Sequence, residues 1–245
     1  MPKLKTLSLL AVLAVSLVWP EGAGAQQVPS PYRFIEAKQD LGITVSYVYA
    51  DPGAANFGPQ AGPAISVRYT RSISRPVSIT PSLTYFTSER EVIDPSLEEG
   101  EGGGSGSQVV GTESIDLLLV AGRFNLNLTG TRTWHRLVPY LSGGLGIAFE
   151  LTGATTCFEG STNPDCQIEP RERFDFGTSF LLQLGFGTVW LPRQRIGVRL
   201  EFLNHIWRLA TPPGYYDPGV TIVPIPSGKD WTNNLELGLT LSYWF

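Results

Sequence analysis

The chain has 245 residues, a formal net charge of −4 and only 16% charged residues. That balance excludes the basic footprint of a nucleic-acid-binding protein, and two cysteines exclude a disulfide-dense scaffold. With 27 Gly, 19 Pro and 11% aromatics the composition suits a sheet protein, and the length suits one large β domain or two small ones.

Residues 1–25 read as a cleaved signal peptide. Lys3 and Lys5 form a positive start, Leu7 to Trp19 an apolar stretch, and Ala23-Gly24-Ala25 a small-residue cleavage site. The apolar stretch is shorter than the roughly 20 residues of a membrane-spanning helix. Cleavage leaves 16 basic and 21 acidic residues. No later apolar run is long enough for a transmembrane helix, so only strands could enter a membrane. Residues 26–38 are a lead-in carrying Pro29 and Pro31.

Residues 39–245 form the main domain, where side-chain character alternates with period two. The first predicted strand, Asp40 to Ala50, sets Leu41, Ile43, Val45, Tyr47 and Tyr49 against Gly42, Thr44 and Ser46. Turn residues fill 51–61. The second strand, Gly62 to Arg71, sets Ile65, Val67 and Tyr69 against Ser66, Arg68 and Thr70. After a short turn comes Val77 to Ser88, interrupted by Pro81, which donates no ladder hydrogen bond. Residues 89–113 read as a flexible loop around an acidic, Gly-rich run.

The fourth strand, Ser114 to Leu128, changes phase. Ile115, Leu117, Leu119 and Ala121 have one parity, and Phe124, Leu126 and Leu128 the other. A β-bulge near Ala121–Gly122 would swap the faces and turn Arg123 and Asn125 inward. The fifth strand is Leu137 to Leu151, and a loop at 152–173 carries both cysteines. The sixth strand is Phe174 to Leu191, with Phe176 and Phe180 on its apolar face. The seventh is Ile196 to Leu209, and after a loop at 210–231 the eighth runs from Thr232 to Phe245.

Long connections alternate strictly with short ones, and each strand reaches the roughly 9–11 residues that cross a bilayer at a tilt. The small set (Gly, Ser, Thr) would make a poor aqueous surface. It suits the narrow interior of an eight-stranded barrel, with the apolar set facing lipid. The alternative, a soluble ligand-binding barrel, inverts the two faces. With the apolar set facing lipid, Tyr47, Tyr49, Tyr85, Trp190, Tyr243 and Phe245 would form interfacial girdles.

The last strand resembles the C-terminal signature of outer-membrane barrels: a terminal Phe245, Tyr243 two positions before it, then Leu241, Leu239 and Leu237. In that family this strand is read by the barrel-assembly machinery. Together with Pro139 to Gly146 (PYLSGGLG), the whole mature chain resembles the small eight-stranded outer-membrane barrels of the OmpA/OmpX type, with OmpW-like barrels as neighbours. The resemblance implies an all-β, antiparallel up-and-down barrel in a Gram-negative outer membrane. Short turns and both termini, with the lead-in near the barrel mouth, would face the periplasm, and the long loops would lie outside.

Parity places Arg68, Asp116, Glu150, Arg199, Glu201 and Glu236 inside, where opposite charges must pair. A gated polar path is the sharper alternative. Cys157 and Cys166 share one predicted outer loop and suit a disulfide in an oxidising compartment; a metal site lacks a nearby His or a second pair. His205 faces inward in Glu201 to Trp207 (EFLNHIW). Lipid A deacylase barrels carry a Ser two residues after their His, and Trp207 stands there instead. The acidic loop residues Asp94, Glu98, Glu99 and Glu101 lack calcium-loop spacing.

The resulting expectation is a non-enzymatic, envelope-stabilising barrel that uses no cofactor or metal and presents its loops for contact. A narrow conduit for small or hydrophobic solutes is the alternative, and a lipid A-modifying enzyme the third reading. Expected partners are outer-membrane lipid and lipopolysaccharide, with the assembly machinery and periplasmic chaperones during biogenesis. No nucleic acid is expected, and the barrel is expected to be a monomer.

Overall fold

The computed structural model describes residues 31–95, 109–151, 157–158, 160–217 and 228–245. Among the described residues ten strands are present: β1 (Tyr32–Phe34), β2 (Gln39–Tyr49), β3 (Gly62–Ser72), β4 (Val77–Ile93), β5 (Val109–Asn127), β6 (Arg132–Trp134), β7 (Leu137–Glu150), β8 (Thr178–Arg193), β9 (Ile196–Ala210) and β10 (Lys229–Trp244). Two short 3-10 turns, η1 (Pro164–Cys166) and η2 (Pro213–Tyr216), lie in the long connections. The signal-peptide reading and Glu98, Glu99 and Glu101 fall outside the described residues.

Eight of the strands close on themselves in the order β2-β3-β4-β5-β7-β8-β9-β10, and β10 pairs back onto β2. Every pairing is antiparallel, and closure leaves no open edge in the barrel. The short strand β1 pairs with β6 in the β5–β7 connection, so residues 31–38 of the lead-in are anchored at the short-turn end, and residues 26–30 lie outside the described residues. Ile35 and Ala37 then reach Val138, Val189 and the inward-facing Trp244 across the barrel mouth.

Alternation decides which way each side chain points. On β10, Leu235, Leu237, Leu239, Leu241 and Tyr243 are exposed, while Asn234, Glu236, Thr240, Ser242 and Trp244 are buried inside. On β2, Leu41, Ile43 and Val45 are half or more exposed, against buried Asp40 and Thr44. The exterior is therefore a continuous apolar belt that carries the predicted aromatics, and the interior is packed. A surface of that kind belongs in lipid, with the backbone groups paired around the ring. The inverted, soluble arrangement is not the one observed.

Inward glycines make room for the large lumenal side chains. A Cβ on Gly187 would lie 2.5 Å from the Tyr140 hydroxyl, and one on Gly197 2.5 Å from the Trp244 indole nitrogen. Pro81 projects outward, and the β3–β4 ladder skips Tyr69 and Thr70 beside it. The Thr80 hydroxyl donates to that of Thr70 across this gap, at 3.1 Å.

Three expectations are corrected. The bulge at Ala121–Gly122 is absent: β4 and β5 pair without a slip from Val77↔Leu126 to Val92↔Gly111. Ile115, Leu117, Leu119, Ala121, Arg123 and Asn125 all point inward on one unbroken face. The change in pattern marks a change in lumen content, apolar towards the long loops and polar towards the short turns. Second, β4 and β5 extend to 17 and 19 residues, well into the segment expected as loop 89–113. Third, β8 begins at Thr178, and Phe174 and Phe176 precede it as buried cap residues.

Candidate functional site

Buried charge collects in the half of the lumen nearest the short turns. Strand β9 brings Arg199 and Glu201 inward, β3 brings Arg68, β5 Arg123, β7 Tyr140 and β2 Asp40. Glu201 is the hub. It is ion-paired and hydrogen-bonded to Arg68, accepts a 2.6 Å bond from the Tyr140 hydroxyl, and lies 3.5 Å from Arg123 Nη1. Arg199 Nη2 donates to Asp40 at 3.3 Å, and its guanidinium sits 5.1 Å from the Tyr140 ring centroid. Three arginines thus face Glu201 and Asp40, all of them almost wholly buried. Unpaired, any of them would be costly to bury.

One layer towards the long loops, His205 Nε2 is bonded to Glu236, while Gln183 Nε2 lies 3.0 Å from His205 Nδ1. Asn234 holds the His205 carbonyl at 2.9 Å. Level with Arg199 and Arg123, Thr44 and Thr240 join hydroxyls at 2.7 Å, and Asn125 donates to Thr80 at 2.7 Å. Below this layer a cavity of about 390 Å³ opens at the short-turn mouth, bordered by Asp40, Arg199, Trp244 and Ile35.

Above the charged layers the lumen turns apolar. Phe86, Leu117, Leu181, Trp207 and Leu209 are buried, and the long connections add Phe57, Phe174, Phe176 and Tyr215. Phe57 meets Phe174 at 4.8 Å and Tyr215 at 5.5 Å between ring centroids, and Phe176 meets Trp207 at 5.9 Å. The barrel is corked at its long-loop end by a small hydrophobic core.

Beside that cork lies a second polar cluster. Arg90, near the end of β4, donates to Glu113 at 2.6 Å and pairs with the buried Asp165 of η1. Asn163 caps η1 by accepting from the Asp165 backbone at 2.9 Å, and its amide donates to Glu113 at 3.0 Å. Burial, reinforced by Glu113 and opposed by Arg90, pushes the Asp165 carboxyl up to about 6. The Cys157–Cys166 disulfide ties down the same loop, with 5.5 Å between Cα atoms.

The residues singled out from sequence are therefore dispersed. Arg68, Arg199, Glu201 and Glu236 lie in the lumen. Glu150 sits at the long-loop rim, where it accepts from the Phe176 backbone at 3.1 Å, apart from the arginines. Asp116 faces outward instead of inward, because β5 is unbroken, and it hydrogen-bonds Tyr85 near the upper edge of the belt. Leu237, Leu239, Leu241, Tyr243 and Phe245 all lie on the outer face, and the Phe245 backbone is bonded to Gln39 at the seam.

Sequence reasoning missed Asp40 and Tyr140 as members of the network, although both carry the inward parity. It also missed Arg90–Glu113–Asp165, because that stretch shows no hydrophobic alternation. Among the described residues, no group of three His, Cys, Asp or Glu is placed to hold a metal ion.

No family model matches the chain, and no curated protein matches it in sequence. Solved structures do resemble it. Neisserial surface protein A (NspA) shares 10% identity over 84% of this chain and 97% of its own, with a TM-score of 0.50. OprG from Pseudomonas aeruginosa shares 8% over 85% and 97%, at 0.49. AlkL shares 12% over 93% and 97%, at 0.45. At such identities the likeness to NspA concerns fold. The chain has the fold of the small eight-stranded outer-membrane β-barrels.

Proposed function

We propose that this protein is a non-enzymatic barrel of the outer membrane that stabilises the envelope and presents its long loops outside the cell. The observation carrying this reading is the filled lumen. A salt-bridged layer around Glu201 lies under an apolar cork built on Trp207, Phe57 and Tyr215, so the interior is spent on packing. In this orientation the short turns face the periplasm, and the disulfide belongs to the oxidising side.

Two features weigh against the other readings. A conduit needs a continuous path, and Phe86, Leu117 and Trp207 are almost wholly buried across the way out. An acyl-transfer or hydrolytic site needs a nucleophile beside its base. His205 is instead held between Glu236 and Gln183, with Trp207 two residues on.

The decisive measurement is conductance of the refolded protein in planar bilayers, paired with fractionation of cells that express it. The expected outcome is an outer-membrane protein with no conductance above that of bare lipid. Discrete channel openings would replace this reading with the conduit.

A further inference from the structure

The charges of this barrel are sharply sorted along its axis. The short-turn rim carries eight basic side chains, among them Arg33, Arg136, Arg193 and Arg195. Among the described residues, Glu36 is the only carboxylate side chain on that rim, since Asp40 faces the lumen and pairs with Arg199. The remaining carboxylates outside the lumen belong to the long-loop end, where Arg90 and Arg171 do find acidic partners. The rim arginines do not: none of these four forms an ion pair among the described residues, and Arg136 reaches only the Pro192 carbonyl, at 3.4 Å.

Four of these unpaired cations border one cleft. A cavity of about 380 Å³ runs between the anchored lead-in and the β8–β9 turn, lined by Arg33, Arg136, Arg193 and Arg195 together with the single carboxylate Glu36, and floored by Leu191 and Trp244. Phe245 also lines it and stacks on Tyr243, at 6.3 Å between centroids, on the lipid-facing surface. The cleft is therefore continuous with the apolar belt. Its chemistry is a rim of four arginines against one carboxylate, a net positive edge over an apolar floor beside the lipid-facing belt. A soluble anion would use the arginines alone. A lipid phosphate would use both parts, because its acyl chains would lie against the outward-facing Tyr243 and Phe245.

The geometry points to this cleft as a binding site for the phosphodiester headgroup of an anionic phospholipid in the leaflet facing the short turns. Arg136, Arg193 and Arg195 hold the phosphate, and the ordered lead-in with Arg33 forms the opposite wall. The lead-in thus serves as one side of the site as well as a cover for the barrel mouth. The inference rests on the membrane-barrel reading above, and on the outer-membrane orientation only for naming the leaflet as periplasmic.

The test uses the mature chain refolded into phosphatidylcholine nanodiscs. Spin-labelled phosphatidylglycerol or spin-labelled phosphatidylcholine is added, and the protein-immobilised fraction of each is measured. The expected result is a preference for phosphatidylglycerol of about fivefold or more, the effect of one arginine near an anionic headgroup. That preference is lost in the Arg136→Gln, Arg193→Gln, Arg195→Gln variant and kept in Arg171→Gln, a cap arginine. A compact unboiled gel band confirms that the variants fold. Should the triple variant not fold, wild type in about 1 M salt, where charges are screened within about 3 Å, gives the same reading by losing the preference. Equal retention of both lipids by wild type would overturn the site, as would a preference untouched by the triple variant and by salt. Displacement of the labelled lipid by inorganic phosphate at matched concentration would overturn the lipid as occupant in favour of a soluble anion. A conducting barrel that still prefers phosphatidylglycerol would refute only the proposed function.

Discussion

Glu201 holds Arg68, Arg123 and Tyr140 at once, with 2% of its surface exposed. Glu201→Ala strands two buried guanidinium groups, so a loss of about 3–5 kcal/mol is expected, read as a lower urea midpoint for the refolded barrel. A variant within about 0.5 kcal/mol of wild type would show that the arginines find other partners. Asp165 makes a pH prediction. Its folded carboxyl is raised from 3.8 to about 6 by burial and Glu113, so the folded cap holds a proton more tightly than the unfolded chain. Its contribution to stability is fully present below the unfolded value and is lost as pH rises through about 6. Amide exchange in η1 should therefore speed up between pH 5 and 7.5 by more than the intrinsic rate does, and Asp165→Asn should flatten that excess. An unchanged excess in the variant would refute the assignment. Single residues were only partly legible from sequence. Inward parity suffices to place Arg68, Arg199, Glu201 and Glu236, but Asp116 was misassigned through the bulge.

Strand β10 joins both ends of the barrel, pairing β9 on one side and β2 on the other from Leu235↔Tyr49 to Trp244↔Asp40. Its last backbone bonds are those between Phe245 and Gln39, at 3.0 and 3.2 Å. Deleting Phe245 removes both seam bonds and a lipid-facing aromatic together. The deletion is expected to reduce the heat-modifiable, folded species recovered from membranes, while Leu235→Ala, on the same face at the far end of β10, keeps its backbone pairing to Tyr49 and should have a smaller effect. Equal yields from the deletion and wild type would show that closure does not depend on the last residue. The existence of the eight barrel strands was legible, since each carries a period-two pattern apart from the phase change in β5, whereas the short β1 and β6 show no such pattern. Element ends were not. In Glu89 to Val92 and Val109 to Ser114 charged and polar residues occupy strand positions above the lipid belt, where neither face has to be apolar.

At the scale of the whole molecule, the barrel is a membrane protein in its middle and a soluble protein at one end. Within the belt the apolar residues face out and the charges face in. At the long-loop end Phe57, Leu117, Trp207 and Tyr215 face in, around a conventional hydrophobic core. This inversion along one axis is what closes the lumen, and it is why bare-lipid conductance is the expected outcome. The apparent phase change in β5 is the same inversion seen along one strand. Strand number, sidedness of the belt and the alternation of loop lengths follow from sequence alone, because a two-residue period and turn chemistry are local properties, whereas closure was implied by the family resemblance. The hub at Glu201, the cork, the Arg90–Asp165 cluster and the cationic cleft were decided only by tertiary structure. Each joins residues from several strands or loops, and which side chains meet depends on the stagger of closure and on how the loops fold over the rim, neither of which any single stretch of the chain encodes.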